Sequence, residues 1–393
     1  MKKYDKVTPE GTRDYLFREC KIRRGTENSL RKIFEDFGYD EVMTTSLEFY
    51  DVFSDGIGKM SQNELYTLTD GSGRLITMRP DSTKPIARLF ASRLKEFVLP
   101  IKLFYSQPVF KRNVRFNKKF DEILQMGVEL IGASGFRSDL EILILAIKCM
   151  KELFGSDFYL EIGHMGVITS VLNSFSNLKN EAKQALAIKN FPDIESLANQ
   201  MGKDGAVLKT VSKLFGGKEI LLEAKKELQD KEALLAIKEI EELYLALDNA
   251  GCAENIIFDF SVVQDVQYYT GLVFRGFVKG KGMEVMSGGR YDTLYSDYSL
   301  DIPAIGFAFN INETIDVLKK EKIETEKPKI VIYSSDKMVN PMSLEVVKQY
   351  IEKGYSFVSS ICDTLEETIT WAKAIKAKKI VIVENNKLEE REI

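Results

Sequence analysis

The stretch Gln267-Tyr-Tyr-Thr-Gly271, followed at once by the apolar run 272–278 and then by Ser287-Gly-Gly-Arg-Tyr-Asp292, decides the fold of this chain. Its aromatic and β-branched residues favour strands, because such side chains pack well on a pleated surface. A glycine-rich string like the second one also forms ordinary turns. The stretch therefore predicts two strands, at 262–278 and 283–286, and by itself assigns no function.

Strand patterns recur upstream of this stretch, and few helices separate them. A long amphipathic helix is predicted at 15–37, ending at Gly38, with shorter helices at 84–95 and 138–154. Runs of strands with few helices between them indicate an α+β fold, with a mostly antiparallel sheet flanked by helices. The upstream strand-like runs lie at 41–46, 65–69, 74–78, 101–106, 120–131 and 157–162.

Two further regions depart from the strand-rich pattern. Residues from about 168 to 250 are rich in Ala, Leu, Lys and Glu at helical spacing, which predicts a helical insertion within a core spanning 1–320. The charged stretch 319–329 is typical of a linker. Beyond it, residues 328–393 alternate strands and helices, which predicts a small C-terminal α/β domain with a parallel sheet.

Composition narrows the classes of function. The chain has 393 residues, a net charge of −4 and an isoelectric point near 5.6, so no global basic charge draws it to nucleic acid. Its four cysteines have no C-x-x-C spacing and His164 is its only histidine, which argues against a metal site, a disulfide framework and histidine-based catalysis. We expect His164 to be structural. The polar N-terminus and the lack of a long apolar run predict no signal peptide and no membrane span, which favours the cytoplasm.

Four segments occur together in one order along the chain: Thr8-Pro-Glu-Gly-Thr-Arg-Asp14, Met78-Arg-Pro-Asp-Ser-Thr83, Gln267–Gly271 and Ser287–Asp292. In this order and spacing they resemble the histidyl-tRNA synthetases, and the resemblance covers essentially the whole chain. It implies a class II aminoacyl-tRNA synthetase-like core. It also implies that residues 328–393 form a shortened anticodon-binding-like domain that stops before its final strand and helix.

The resemblance also implies a pocket for histidine, a ligand that needs an acid near its ammonium and a partner at each ring nitrogen. Asp81, Thr83 and Gln125 would hold the ammonium. Glu129 would accept from one ring nitrogen, and Tyr269 would meet the other. Asp81 stands where the synthetases place a glutamate, so the shorter carboxylate can reach the ammonium through water. The predicted histidine-binding residues are Asp81, Thr83, Gln125, Glu129, Tyr268, Tyr269, Gly288 and Gly289.

The groups that would activate an amino acid with ATP are replaced in this chain. Binding of the triphosphate and of the adenylate-forming transition state needs fixed positive charge, best supplied by the planar fork of arginine. At the matching positions of the synthetase motifs this chain has a lysine, two neutral amides and a glutamate. Losing one such contact typically costs on the order of 3 kcal/mol, so we predict no catalytic residues and no amino-acid activation. The residues of this degenerate former ATP site are Lys111, Asn113, Gln264 and Glu313.

A chain that keeps the pocket and loses the ATP site is similar to the regulatory subunits of ATP phosphoribosyltransferase, the non-aminoacylating relatives of these synthetases. That similarity implies a short-form catalytic subunit as partner and L-histidine as allosteric ligand, without a cofactor, a metal or tRNA. It also implies a homodimer, formed through the long N-terminal helix and the strand at 41–47, within a hetero-oligomer. Two alternatives remain open: a working histidyl-tRNA synthetase and a free-standing histidine sensor.

Overall fold

The computed structural model describes residues 4, 6–112, 120–173, 175, 178–202, 205–262, 268–321, 327–334, 341–384 and 387–393. The chain divides into two compact units, Met1–Glu321 and Lys322–Ile393. In the described residues, no helix combines the length and the apolar character that crossing a membrane requires.

A mostly antiparallel nine-stranded sheet forms the centre of the first unit. Its order is β1-β5-β6-β12-β11-β10-β7-β9-β8, and only the pairs β1–β5 and β7–β9 are parallel. The strands are β1 (Asp40–Glu41), β5 (Ile101–Phe110), β6 (Glu122–Ile131), β7 (Phe158–His164), β8 (Phe215–Gly216), β9 (Ile256–Asp259), β10 (Leu272–Val278), β11 (Glu284–Arg290) and β12 (Ala304–Asn310).

The two faces of this sheet differ because successive side chains in a strand point to opposite sides. On one face Met126, Val128, Phe307 and Phe309 are buried in the main apolar core. Among the helices that pack on that core are α1 (Arg18–Asp36), α4 (Phe136–Phe154) and α11 (Ile311–Glu321). Each fully buried side chain of this kind stabilises the fold by roughly 1.5–3 kcal/mol. The opposite face carries polar and small residues beside a smaller apolar cluster, and it holds the site described below.

A small second sheet precedes the first long hairpin and leads into the site. It comprises β2 (Leu47–Phe49), β3 (Thr67–Thr69) and β4 (Leu75–Met78) in the antiparallel order β2-β4-β3. The expected hairpin turn is present, since Asp70 Oδ1 accepts hydrogen bonds from the backbone N–H groups of Ser72 and Arg74. Two short helices flank the small sheet, α2 (Asp51–Ser54) and α3 (Thr83–Leu89).

Several strand boundaries differ from the sequence-based expectations. Of the run 41–46 only Glu41 lies in β1, which is two residues long, and the strand expected at 283–286 extends to Arg290. Residues 287–289 therefore lie in β11 rather than in a turn. The glycines among them let the backbone and side chains of neighbouring residues come close to this strand. An added Cβ at Gly288 would lie 2.8 Å from the Cα of Phe307. Strands β8, β9 and β12 were not predicted as strands.

The region expected to be a helical insertion is helical. A two-residue strand, β8, interrupts it, and the Asp230 side chain caps its longest helix by accepting from the N–H groups of Glu232 and Ala233. The helices are α5 (Met165–Asn173), α6 (Lys179–Ala187), α7 (Phe191–Met201), α8 (Ala206–Val211), α9 (Glu219–Glu227) and α10 (Lys231–Asn249).

The second unit is a four-stranded sheet with two helices. Its strands β13 (Lys329–Ser334), β14 (Ser356–Ser359) and β15 (Lys379–Glu384) are parallel, and α12 (Pro341–Glu352) and α13 (Leu365–Ala374) connect them. The expectation that this domain stops before its final strand and helix is wrong for the strand, because β16 (Lys387–Glu392) pairs with β15 antiparallel. Five of the six residues of β16 are charged and all six are exposed, so its strand is held by backbone hydrogen bonds that no side-chain pattern reveals.

Candidate functional site

Three glycines, Gly127, Gly289 and Gly306, leave an area without side chains on the polar face of the central sheet, called the floor below. Gly306 of β12 pairs with Glu129 of β6 on one side and with Gly289 of β11 on the other, so all three lie in one row across the sheet. A Cβ at Gly306 would collide with the Glu129 carboxylate, and one at Gly289 would lie 2.8 Å from the ring of Tyr269. Gly127, two residues from Glu129 on the same face, keeps the next position of the floor clear.

The Glu129 carboxyl stands at one end of this floor and is only 2% exposed. The Thr83 hydroxyl donates to its Oε1 atom at 2.8 Å, and the Tyr291 hydroxyl donates to its Oε2 atom. Burial raises the pKa of Glu129 to about 8; the bonds from Tyr291 and Thr83 oppose this rise, and the nearby charge of Asp81 adds to it. The group is therefore a buried acceptor whose orientation is fixed on both oxygens.

A second carboxyl, that of Asp81, lies just before α3 and is half-buried. Its Oδ1 atom accepts from the backbone N–H of Lys84 at 3.1 Å, so the first turn of the helix orients it. Burial raises the pKa of Asp81, while that N–H and the positive charge of Lys84 lower it. The Lys84 ammonium itself is buried, and it donates to the carbonyls of Val52 at 3.0 Å and Asp55 at 3.2 Å.

Gln125 marks the other end of the floor, four residues before Glu129 and on the same face of β6. Its Oε1 atom is buried and accepts no hydrogen bond from any of the described residues. A buried acceptor without a donor costs about 1–3 kcal/mol, so a ligand that supplies an N–H there gains that amount in return. This orphaned oxygen fits the ammonium of an amino acid.

Aromatic rings form the wall over the floor. The ring centroids of Tyr268 and Tyr269 are 5.0 Å apart, and those of Tyr268 and Tyr291 are 5.5 Å apart. Burial raises the pKa values of Tyr268 and Tyr291 well above the usual range, so both hydroxyls stay neutral. Gly58, at φ +66°, presses against the Tyr268 ring, and a Cβ there would come within 2.8 Å of it.

The structure brings seven of the eight predicted pocket residues to this one place. Gly288 is the exception in orientation, because it faces the apolar core beside Phe307 while Gly289 faces the pocket. No metal ligand set is present among the described residues, since no cluster of three or more His, Cys, Asp or Glu side chains occurs there. His164 lies at the end of β7, where its Nδ1 atom accepts from the N–H of Gly166 at 3.0 Å and its Nε2 atom lies 3.2 Å from Glu239.

Two of the four predicted former ATP-site residues can be placed. The Lys111 ammonium lies 3.4 Å from a carboxylate oxygen of Glu64, so its charge is already paired within the chain. Glu313 lies in the first turn of α11, where a negative charge suits the positive end of the helix dipole. Asn113 and Gln264 lie outside the described residues.

Sequence reasoning gave no role to Tyr291, Gly127 and Gly306. Their signal was the alternation of small or polar residues with large apolar ones along each strand. In β6 it reads Gln125, Gly127, Glu129 against Met126 and Val128, and β12 repeats it around Gly306. Such alternation marks a strand with one polar face, and three neighbouring strands with small residues in register mark a floor.

The pocket as a whole offers two carboxyl groups, one unsatisfied amide oxygen and several neutral hydroxyls around a bare floor. Acceptors at both ends suit a ligand with a cationic amine at one end and an N–H at the other. The arrangement suits a small polar ligand, and no nucleophile aligned with a general base is present among its described residues.

Comparison with known proteins agrees with this geometry. A protein-family model described as histidyl-tRNA synthetase matches residues 11–314. The chain is 35% identical to an ATP phosphoribosyltransferase regulatory subunit of Clostridium acetobutylicum, with 98% of this chain and 97% of that protein covered. It is 31% identical to one of Bacillus cereus, with 99% and 94% covered.

Solved structures share the fold. An ATP phosphoribosyltransferase regulatory subunit/histidyl-tRNA synthetase from Bacillus halodurans C matches with a TM-score of 0.85 at 26% identity, covering 98% of this chain and 100% of that one. A histidyl-tRNA synthetase from Nostoc sp. PCC 7120 matches with a TM-score of 0.79 at 18% identity, covering 99% and 97%. The expected α+β, class II synthetase-like fold is confirmed. The chain belongs to the family of ATP phosphoribosyltransferase regulatory subunits, built on the histidyl-tRNA synthetase fold.

Proposed function

We propose that this chain binds L-histidine in the pocket over Gly127, Gly289 and Gly306 and transmits that binding to a short-form ATP phosphoribosyltransferase catalytic subunit as feedback inhibition. The observation that carries the proposal is the pairing of a fixed buried acceptor, Glu129, with an unsatisfied amide oxygen on Gln125 at the other end of the floor. Histidine has a donor for each of them.

The proposed pose follows from these acceptors. The histidine ammonium lies between Asp81 and Gln125, and one ring N–H donates to Glu129. The Tyr269 hydroxyl meets the second ring nitrogen, with Tyr268 packed behind it. Thr83 already donates to Glu129, so its main part is to hold that carboxyl in place while its lone pairs remain open to the ammonium.

Inhibition requires that histidine bind the inactive state of the complex more tightly than the active one, since a ligand with equal affinity for both shifts nothing. By the same linkage, conversion to the inactive state raises the affinity of the chain for histidine by an equal factor. We further propose that the short catalytic subunit needs this chain for full activity, and that the complex works in the cytoplasm without tRNA. Residues 327–393 carry 11 basic and 10 acidic side chains, which supports the last point.

The test is calorimetric titration of the purified chain with L-histidine and separately with ATP, followed by mixing with a short-form catalytic subunit. We expect saturable binding of histidine, a rise in transferase activity when the chain is added, and loss of that gain when histidine is added. Asp81→Asn weakens histidine binding, whereas Asp51→Asn, at the exposed start of α2, serves as the matched control. Histidine-dependent ATP–pyrophosphate exchange at synthetase-like rates would instead establish an aminoacylating enzyme.

A further inference from the structure

We propose that the Glu129 carboxyl is protonated in the empty pocket and transfers its proton to the ring of the bound ligand, so that the pocket holds an imidazolium ion. This inference rests on the proposed function, because it concerns the form in which that ligand is held.

Only neutral groups satisfy the Glu129 carboxyl. Its two oxygens meet the hydroxyls of Thr83 and Tyr291, and among the described residues no lysine or arginine forms an ion pair with it. A buried carboxylate without a cation is costly, and such a group usually takes up a proton instead. Either hydroxyl can rotate to accept that proton, since hydroxyls both donate and accept.

The groups around Glu129 add no positive charge. The Lys84 ammonium, on the residue that follows Thr83, is directed at the carbonyls of Val52 and Asp55, while Asp81 contributes a second negative charge. Burial and Asp81 together outweigh the two hydroxyl bonds and raise the pKa of Glu129 to about 8. The charge of Glu129 in turn raises the pKa values of the tyrosines in the strands, loops and turn around it, so their hydroxyls stay neutral: Tyr39, Tyr105, Tyr268, Tyr269, Tyr291 and Tyr295.

The transfer conserves atoms and charge. The O–H bond of Glu129 breaks and an N–H bond forms on the ring nitrogen that faces it, so a neutral pair becomes an ion pair and no proton leaves the complex. A free imidazole has a pKa of about 6.5, so the gap to about 8 opposes transfer by a factor of about 30. Attraction between the two new charges at hydrogen-bond distance favours it on the order of a thousandfold, which leaves a margin of about thirtyfold to offset the cost of burying the charged ring.

Because the bound ring must accept this proton, the pocket selects ligands whose ring nitrogen is a good base. A ligand of equal shape whose ring nitrogen is a poor base, such as 1,2,4-triazole-3-alanine, cannot accept the proton. With this analogue bound, Glu129 either makes a neutral hydrogen bond or stays a buried carboxylate without a cation. A charge-assisted hydrogen bond, as expected with histidine, is roughly twice as strong as a neutral one. We expect that analogue to bind at least about tenfold more weakly than L-histidine.

Proton counting distinguishes the forms of the complex. L-Histidine is titrated calorimetrically into the full chain in buffers of different ionisation enthalpy, and the ligand's own amino group is corrected for. We expect release of about one proton near pH 5.5, about none near pH 7.2 and uptake of about one near pH 9. Binding of a neutral ring to ionised Glu129 would instead release about one proton near pH 7.2 and none near pH 9, and would overturn the inference.

Nitrogen NMR of ring-¹⁵N-labelled histidine in the complex closes the remaining case, in which Glu129 keeps its proton and donates to a neutral ring. Two closely similar ring shifts support the imidazolium, and two widely separated shifts overturn it. Glu129→Gln should abolish the imidazolium signature, whereas Tyr350→Phe, which removes a hydroxyl bonded to Glu390, should preserve it. Absence of any histidine binding to the wild-type chain would sink the proposed function itself, whereas binding of a neutral ring would sink only this inference.

Discussion

The Tyr291 hydroxyl donates a hydrogen bond to the Glu129 carboxyl from 162 residues further along the chain. Strand β11 ends at Arg290, so Tyr291 is the first residue beyond the strand and reaches back over Gly306 towards β6. Arg290 fixes this strand end, because its guanidinium bonds Asp139 at the start of α4 and Asp292 beside it. The position of the pocket acceptor thus depends on a contact between two distant segments.

Replacement of Tyr291 by Phe tests this contact. Loss of one hydrogen bond to a buried carboxyl costs about 1.5–3 kcal/mol when that group is charged, so we expect histidine affinity to fall about 10- to 100-fold. The measurement is calorimetric titration with L-histidine, with circular dichroism as a check of folding. Tyr350→Phe removes a hydroxyl that bonds a different carboxyl, that of Glu390, and should leave the affinity unchanged. Equal affinities for Tyr291→Phe and the wild type would show that Glu129 does not depend on this bond.

Gly306→Ala tests the bare floor. The added methyl would collide with the Glu129 carboxyl and with the Val128 carbonyl, so Glu129 must leave its position. We expect histidine binding to be lost, with destabilisation of about 1–3 kcal/mol from overpacking. Gly25→Ala is the matched control: it lies within α1 with nothing near its added Cβ, and it should raise the free energy of unfolding by about 0.5–1 kcal/mol. Retained binding in Gly306→Ala would refute the assignment of the floor.

The sequence predicted the architecture well and the site only in part. Alternating and helical patterns located most elements, because periodicity reports which face is buried. The two-residue strand β8 and the charged strand β16 were not predicted, since each is held by backbone pairing rather than by an apolar face. The resemblance located Asp81 and Glu129, but the link from Thr83 and Tyr291 to Glu129 depends on strand register, which no single motif records.

The pH dependence of stability should reveal the buried state of Glu129. An unfolded glutamate has a pKa of about 4.3, whereas burial raises the folded pKa to about 8, so between these values the folded chain holds one extra proton. The contribution of this proton to the free energy of unfolding is fully present below the unfolded pKa and is lost as pH rises towards 8. The free energy of unfolding therefore falls by up to about 1.4 kcal/mol per pH unit.

Urea unfolding of the ligand-free chain across this range measures that slope. Asp139 and Glu161, whose pKa values burial also raises, are common to the wild type and Glu129→Gln, so their contributions cancel in the difference between the two chains. We expect the variant to lose less stability between about pH 5 and 8 than the wild type. Parallel curves would mean that Glu129 is ionised in the empty pocket.

The proposed homodimer can be tested on the small sheet. The outward face of β2, β4 and β3 presents Leu47, Phe49 and Leu68, each nearly half exposed, close to the segment 41–47 assigned to the interface. Neighbouring apolar side chains on an open sheet face are typical of an interaction surface. A charge at its centre would have to be desolvated on association, which strongly disfavours the dimer.

We therefore expect Phe49→Lys to shift the chain towards monomers in sedimentation equilibrium while its circular dichroism stays unchanged. Leu235→Lys, which replaces a similarly exposed leucine on α10, controls for the effect of an added charge and should leave the association unaltered. Dissociation by both variants would point to a nonspecific effect of charge. Association of Phe49→Lys at wild-type strength would move the dimer contact away from the small sheet, leaving α1 as the remaining part of the predicted interface.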